Sequence, residues 1–460
     1  MSESIPLPEG VLVAWYGDDF TGSSAVLEVL TFGGVPSVLF LDVPTEEQLA
    51  TFAHCRGVGI AGIARSQSPE WMEENLPRYF EALRRIQAPI TQYKICSTFD
   101  SSPRVGSIGK ALDVAAPMFD GRWYPLIVAA PPINRYQAFG NLFAGVNNVT
   151  HRLDRHPTMS RHPVTPMTEA DVRVHLSGQT DKAIGLVDLQ ALRSQSSSNA
   201  LHMELGSGAV IVAIDSIDEA DLEAAGRLIW ENRGTGLFTI ASQGLEYALI
   251  AYWREAGLLG QKPAPQVAPT DRIVVVSGSC APQNATQIRW AVERGFAPVA
   301  LDAALVVDEL AWQGELQRAI ADALSAAGNG RDPLVYTALG PDDPSIAALN
   351  TAASTTGVAS AELNAKIGKG LGHIFDRVRR SLNVTRGVIA GGDTSGHASS
   401  VLGIQAFEAL VPIAPGAPLM KAHSKELASR GLEIALKGGQ MGAPDYFGLV
   451  KEGGARTSRL

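Results

Sequence analysis

Residues 387–396 limit the fold of this chain more than any other stretch: an apolar run, GVIA, passes directly into GGDTSG and then into the pattern HASSVLGIQAFEAL. A short apolar run closed by paired glycines and small polar residues reads as a buried strand, a tight turn and a helix. Gly391 and Gly392 permit close backbone approach, Asp393 adds a carboxylate, and Thr394 with Ser395 stand where they can cap the helix. The free N–H groups of such a helix start attract phosphate. Residues 11–22 repeat the plan more faintly, with VLVAWY running into GDDFTG and a helical pattern. The expected architecture is α/β: two domains with mainly parallel sheets, their turns facing each other across a cleft.

At 460 residues the chain exceeds one ordinary core. Hydrophobic content of 45%, 46 glycines and a charged fraction of 18% fit a compact α/β protein. A formal net charge of -9 leaves no broad basic surface for nucleic acid, though a local cationic pocket remains open. Cys55, Cys96 and Cys280 show no paired spacing, which predicts reduced thiols and no zinc site. The start, MSESIPLPEG, lacks the basic and apolar regions of a leader, and no run reaches the roughly 18 to 20 apolar residues of a membrane span. A cytoplasmic protein without a membrane partner is therefore expected.

Strand and helix patterns alternate from the first strand to a helix near residues 244–256, the rhythm of βαβ units. Strands are expected at 35–41, 57–64, 90–98 and 124–131, with a helix over 69–86 and a loop PPINRYQAFGN after the last of these strands. Residues 151–166 (HRLDRHPTMSRHPVTP) hold three arginines, three histidines and three prolines, and read as an irregular excursion followed by a helix from about Thr168. Residues 257–271, rich in Pro, Ala and Gln, are the expected linker between domains 1–260 and 261–460. A second α/β rhythm follows, including helices over 282–294, 308–327 and 357–382.

Four stretches carry candidate chemistry. Asp18 and Asp19 fall at the carboxyl end of the first strand, where open α/β sheets bind ligands; the plain alternative is that Asp19 and Thr21 cap the next helix. Ser277, Gly278 and Ser279 end another strand and, with GGDTSG, would cradle phosphate. Lys437 beside Gly438 and Gly439 offers an ammonium to phosphate oxygens, or is a solvated lysine in a turn. Arg152, Arg155, His156, Arg161 and His162 offer a carboxylate grip, or simply a solvated loop, and their spacing matches no common metal pattern. No GxxxxGK[ST] loop exists, and Gly368, Gly370 and Gly372 miss the dinucleotide spacing within a helical pattern.

Taken together, GDDFTG, SGSC, GGDTSGHASSVLGI, PGAP and LKGGQMGAPDYF resemble the four-carbon acid sugar kinase family, which includes 3-oxo-tetronate and D-threonate kinases, along essentially the whole chain. The resemblance implies an N-terminal sugar-acid domain, a C-terminal nucleotide domain and use of ATP with Mg²⁺. It implies that Asp18 and Asp19 meet the acceptor hydroxyls, that Arg135 assists, and that Ser277, Ser279, Gly391, Gly392, Asp393, Thr394 and Gly438 hold ATP. Where many members read KxDSTxRG, this chain has KICSTFDSS: Lys94, Ser97 and Thr98 match, Cys96 replaces the acid, Asp100 stands at the arginine position and Ser101 replaces the glycine. That departure looks most like the branch found beside RuBisCO-like proteins, whose acceptor is 3-oxo-isoapionate.

The expected reaction is phosphoryl transfer from ATP to a hydroxyl of a small sugar acid, with Asp19, or else Asp18, orienting or deprotonating that hydroxyl. Lys94, with Arg155 or a neighbouring arginine and His156, would hold the carboxylate; Ser97, Thr98 and Asp100 would line the acceptor site, and Asp393 would reach Mg²⁺ through water or order its own turn. Domain closure would exclude water. The resemblance also allows a homodimer. A non-catalytic two-lobed sugar-acid sensor would share the acceptor features but has no use for three phosphate-binding turns, and an oxidoreductase would need the missing dinucleotide fingerprint.

Overall fold

The computed structural model describes residues 6–146, 148–194, 196–261, 265–426 and 431–454. The chain divides into two compact units, Met1–Pro263 and Ala264–Leu460. Residues 262–264, within the expected linker, lie outside the described residues. Among the described residues no helix is long and apolar enough to cross a membrane.

In the first unit the strands in chain order are β1 (Val13–Gly17), β2 (Ser37–Phe40), β3 (Gly57–Ala61), β4 (Ile90–Lys94), β5 (Tyr124–Ile127), β6 (Arg135–Ala138), β7 (Asn141–Val146), β8 (Val149–Arg152), β9 (Ile184–Val187), β10 (Ile211–Ile214) and β11 (Leu237–Ala241). Its main sheet runs β2-β3-β1-β4-β11-β5-β10-β9 and is parallel throughout. Strands covered on both faces are apolar without alternation, and β1 is buried at every position. The helix Pro69–Ile86 begins where Ser68 accepts the Trp71 N–H and Pro69 supplies a preset φ. Its buried residues, Met72, Leu76, Phe80 and Leu83, recur at helical spacing and form one stripe against the sheet. Phe80 meets Tyr16, Tyr93 and Phe238 with ring centroids 6.3, 6.1 and 5.5 Å away. It thereby packs beneath the last turns of backbone before Gly17 and Lys94.

The stretch expected to be a loop after β5 is instead an antiparallel sheet, β6-β7-β8. Phe139 and Gly140 form its first turn with φ of 51° and 80°, the arrangement that matches strand twist. The buried Asp215 carboxylate holds that turn by accepting the N–H groups of Phe139 and Gly140. The expected helix from Thr168 begins later, at Val172, capped by Asp171. Leu142 donates its N–H to Ala170 O at 2.8 Å, which keeps Ala170 extended and delays the helix.

The second unit holds β12 (Val274–Ser277), β13 (Phe296–Ala300), β14 (Asp332–Tyr336), β15 (Arg386–Ala390), β16 (Ile404–Ala414), β17 (Ala417–Ser424) and β18 (Glu433–Lys437). They run β13-β14-β12-β15-β18-β17-β16, parallel as far as β18 and antiparallel from β18 to β16. Of the residues PGAP, Pro415 and Gly416 make the turn of the β16–β17 hairpin, and Ala417 and Pro418 begin β17. The expected helix over 357–382 begins at Ser360, and a separate helix, Pro344–Thr356, precedes it. That helix buries none of its residues, so no apolar stripe marked it. Gly368, Gly370 and Gly372 are buried inside the helix Ser360–Ser381, where they let neighbouring elements pack closely.

Removing the Phe80 ring should test how far this packing supports the adjacent strand ends. Phe80→Ala is expected to lower stability by about 3–5 kcal/mol, as for other buried aromatic deletions, read as an earlier unfolding transition in thermal denaturation; an unchanged midpoint would show that the ring carries no such load.

Candidate functional site

Parallel pairing sets the first unit's site. Gly17 lies opposite Ala61 on one side and Lys94 on the other, and Lys94 lies opposite Ala241. The loops that follow β1, β3, β4 and β11 therefore open at one sheet edge. They deliver Asp18 and Asp19, Arg65, the run from Cys96 to Asp100, and Glu246 respectively.

Arg65 organises this edge, and no motif in the sequence pointed to it. Its Nη2 and Nε donate to the two Asp18 carboxylate oxygens at 2.6 and 3.1 Å, and its Nη1 donates to Asp19 Oδ2 at 2.7 Å. Asp18 is almost fully buried, whereas the Asp19 side chain is 30% exposed. Asp19 also accepts the Gly22 N–H with Oδ1 at 2.6 Å, so it does cap the helix Phe20–Gly33. Thr21 lies inside that helix and is not its cap. Burial raises the Asp18 carboxyl above its ordinary value, with Arg65 opposing the shift and Asp19 adding to it. Burial alone would lower Arg65, but the two carboxylates hold it well above its usual range.

Lys94 is buried at the end of β4 and donates to Ile95 O at 2.6 Å. Its Nζ, Asp19 Oδ1 and Arg65 Nη2 stand 3.0, 2.6 and 3.3 Å from the point a side-chain carbon would occupy at Gly22, so glycine there lets the three groups converge. Burial lowers the Lys94 pKa, against the pull of Asp18. Glu246 is wholly buried, and burial pushes its carboxyl up to about 8.

Cys96 Sγ lies 3.0 Å from Thr98 Oγ1, which donates to Asp100 Oδ1 at 2.8 Å. Burial raises the thiol, and Asp100 raises it further. Ser97 is half-buried beside them. Burial lowers the Arg135 pKa, with Cys96 and Asp100 opposing the shift. Its Nη1 donates to Ile133 O, Asn134 O and Gly145 O, while its buried Nε has no partner among the described residues. The two residues drawn from the Arg/His-rich segment behave differently. Arg155 pairs with Asp154 at 3.0 Å and is 72% exposed, and no hydrogen bond or ion pair joins it to the carboxylate cluster among the described residues. His156 is buried and uses Nδ1 to accept the N–H groups of Thr158 and Met159, which folds its own loop.

In the second unit Ser277, Ala390 and Lys437 lie side by side in register at the ends of β12, β15 and β18. Gly391, with φ of 128°, turns the chain sharply into the helix Gly392–Val401, and side chains at either Gly391 or Gly278 would collide with Thr394. Thr394 and Ser395 fall inside the first helical turn rather than capping it, because the turn is completed by Gly391 and Ser395 Oγ donates back to Gly391 O at 2.7 Å. The helix start has no side-chain cap, leaving N–H groups directed outward beside the exposed Gly392 and Asp393. Ser277 Oγ accepts from Asn284 Nδ2 at 2.7 Å, and Lys437 Nζ donates to Asn284 Oδ1 at 3.3 Å. Ser279, Gly438 and Gly439 complete the rim, with Ser279 Oγ close against Gly439. The Lys437 ammonium is buried, has no carboxylate partner among the described residues, and is pushed down to about 8 by burial. A buried ammonium at the end of β18 and an uncapped helix start after the neighbouring β15 are features that suit an anion.

Two family models match the chain: one described as a sugar-binding N-terminal domain over residues 13–249, the other as a nucleotide-binding C-terminal domain over residues 274–447. The chain is 47% identical to a 3-oxo-isoapionate kinase of Paraburkholderia graminis, over 97% of this chain and 95% of that protein. It is 29% identical to a 3-oxo-tetronate kinase of Cupriavidus necator, over 95% of each. Crystal structures of proteins from Haemophilus influenzae and Salmonella typhimurium share the fold, with TM-scores of 0.70 and 0.76 over 95% of this chain and 98% and 97% of theirs, at 24% and 23% identity.

Two outcomes follow from the geometry. Arg65→Met strands the buried Asp18 charge and should lower stability by about 3–5 kcal/mol; adding Asp18→Asn should recover part of that loss in a double-mutant cycle, and simple additivity would show that the pair is not coupled. The Lys437 ammonium is charged below about pH 8 and neutral above it, and an anion binds the charged form. Affinity for inorganic tripolyphosphate should therefore hold below that pH and fall as pH rises through it, and Lys437→Met should bind weakly without this dependence. A wild-type affinity that ignores pH would remove Lys437 from the site.

Proposed function

The chain belongs to the family of sugar-acid kinases with a sugar-binding N-terminal and a nucleotide-binding C-terminal domain, and we propose from this, and from the buried Lys437 cation without a carboxylate partner among the described residues, that it transfers phosphate from ATP to a hydroxyl of 3-oxo-isoapionate or a close relative. The protein is a phosphotransferase rather than a non-catalytic sensor. The preference for the branched acceptor is supported by 47% identity to the 3-oxo-isoapionate kinase against 29% to a 3-oxo-tetronate kinase. The reading is also consistent with Cys96 and Asp100 standing where the tetronate-type motif has other residues.

The residues of the second unit suit a nucleoside triphosphate. The N–H groups at Gly392, Asp393 and Thr394, together with Ser277, Gly278, Ser279, Gly391, Gly438 and Gly439, would surround phosphate oxygens, and Lys437 would offset their charge. Asp393, exposed in the first turn of that helix, would hold Mg²⁺, which favours one or two carboxylates plus phosphates. When bound, Mg²⁺-ATP supplies the phosphoryl group and its countercharge.

In the first unit Asp19 takes the role of base. Its carboxylate is fixed by Gly22 and Arg65 yet remains partly exposed, so it can orient the acceptor hydroxyl and accept its proton. Asp18 and Lys94 are positioning residues: Asp18 anchors Arg65, and Lys94 Nζ converges with Asp19 and Arg65 beside Gly22. Arg135, with its unpartnered Nε, is better placed than Arg155 to meet the acceptor's carboxylate. Thr98, Ser97 and Asp100 would contact its remaining hydroxyls. A small sugar acid is the proposed partner, with no nucleic acid, and a homodimer and a cytoplasmic setting belong to the same proposal.

Asparagine also caps helices, so Asp19→Asn keeps the helix start while removing the base. Turnover should fall by about two to four orders of magnitude with ATP affinity little changed, measured as ADP release in the presence of 3-oxo-isoapionate, 3-oxo-tetronates and tetronates. Near-normal turnover would exclude Asp19 as the base, and ADP release with tetronates but none with 3-oxo-isoapionate would overturn the acceptor assignment.

A further inference from the structure

The turn that carries Cys96, Ser97, Thr98 and Asp100 holds a backbone conformation that its own sequence does not favour. Phe99 sits at φ 59°, a left-handed conformation disfavoured for a bulky residue. Such a conformation persists only where its surroundings over-determine it. The Phe99 N–H donates to Cys96 O at 3.0 Å, and the Phe99 ring is wholly buried. Inside the turn the Thr98 hydroxyl gives its proton to Asp100 Oδ1, which leaves the Cys96 thiol as the donor to Thr98 Oγ1. Ser101, next in the chain, ties the turn to the rest of the unit. It is buried, and its Oγ donates to Phe99 O at 3.0 Å. Gln179 Nε2 donates to the same Oγ at 2.9 Å, while Gln179 Oε1 accepts the N–H groups of Ile108 and Gly109 at 2.8 and 3.4 Å, which fixes the orientation of that amide. His175 Nε2 lies 3.0 Å from Ser101 Oγ and 3.2 Å from Ser101 O. Since the Oγ proton goes to Phe99 O, both atoms accept from this nitrogen, so Nε2 carries a hydrogen. Burial lowers the His175 pKa, with the Ser101 carbonyl opposing the shift, and the ring is a neutral donor at physiological pH. It also meets the Phe99 ring, with centroids 5.4 Å apart.

His175 lies in the helix Val172–Ser177, and Gln179 follows just beyond it. That helix is fixed to the small sheet β6-β7-β8: its cap, Asp171, bridges to Asn141, and Val172 donates its N–H to Gly140 O at 3.0 Å. Val172 and Leu176 share one core with Leu142, Ala144 and Phe99. Arg135, assigned above to the acceptor's carboxylate, stands in the same sheet opposite Ala144, and Cys96 and Asp100 act on its charge. One helix therefore holds both the turn after β4 and the sheet that bears Arg135. We propose that His175 and Gln179 are positioning residues for acceptor recognition: acting through Ser101, they set the Cys96–Asp100 turn relative to Arg135 so that both grip one sugar acid. The inference rests on the kinase reading above and adds to it the residues that shape the acceptor pocket. Neither side chain takes part in phosphoryl transfer, so their effect falls on acceptor binding and leaves the chemical step to Asp19.

The test is steady-state kinetics of the full chain with ATP and the sugar acid it turns over best. Ser101→Ala removes the hydroxyl on which these bonds converge, and His175→Leu removes the ring N–H, each leaving a buried polar atom without its partner. Both should raise the acceptor KM about tenfold, with kcat changed far less and the ATP KM unmoved, the pattern of lost binding rather than lost chemistry. His175→Gln places an amide N–H near the position of Nε2 and should keep most of the acceptor affinity. An acceptor KM unchanged in both variants overturns the inference. So do equal losses of kcat, ATP affinity and thermal midpoint, which would make the contact merely structural. A His175→Gln variant as impaired as His175→Leu overturns it too, since ring packing would then be the cause. Absence of turnover by the unaltered protein with every sugar acid overturns the kinase reading, and this inference with it.

Discussion

Parallel strands that hydrogen-bond in register end together, so the loops that follow them open at one edge of the sheet. In the first unit this brings Asp19, Arg65, Lys94 and Glu246 to a common edge although they come from four separate strands. In the second it lines up Tyr336, Ser277, Ala390 and Lys437 in one row. A slip of one residue along any of these strands would turn its side chains to the opposite face and remove its loop from the group. The buried, uniformly apolar strands and the aromatic packing around Phe80 prevent that slip.

The two edges solve opposite electrostatic problems. At the first, two adjacent carboxylates repel each other, and the Arg65 fork holds both, so their geometry is set before any ligand arrives. At the second, the buried Lys437 ammonium meets Asn284 and the Tyr446 ring, with no carboxylate partner among the described residues. Burial lowers its pKa, and a polyanion would restore the charged form. A kinase needs both arrangements: a fixed carboxylate for the acceptor hydroxyl and positive potential for the donor phosphates.

What could be read in advance was local. GDDFTG and GGDTSG announce themselves because the residues of a strand end, a turn and a helix start are neighbours in sequence, and the α/β class follows from the alternation of such units. Arg65 was invisible because it stands in GIARSQ, a stretch without pattern, and gains its role only through β3 pairing beside β1. Arg155 and His156 drew attention through an unusual local composition, yet the fold spends one on Asp154 and the other on its own backbone. The antiparallel sheet β6-β7-β8 escaped because its turn, Phe139–Gly140, depends on Asp215, far along the chain.

The sequence by itself determined the α/β class, the kinase family and the turns that carry the paired glycines and the acidic groups, since each is written in contiguous residues. Tertiary structure alone decided that Arg65 binds both aspartates and that Lys437 has no carboxylate partner among the described residues. Those outcomes rest on contacts between residues distant in the chain, and the distances come from strand pairing and burial, which no local pattern encodes.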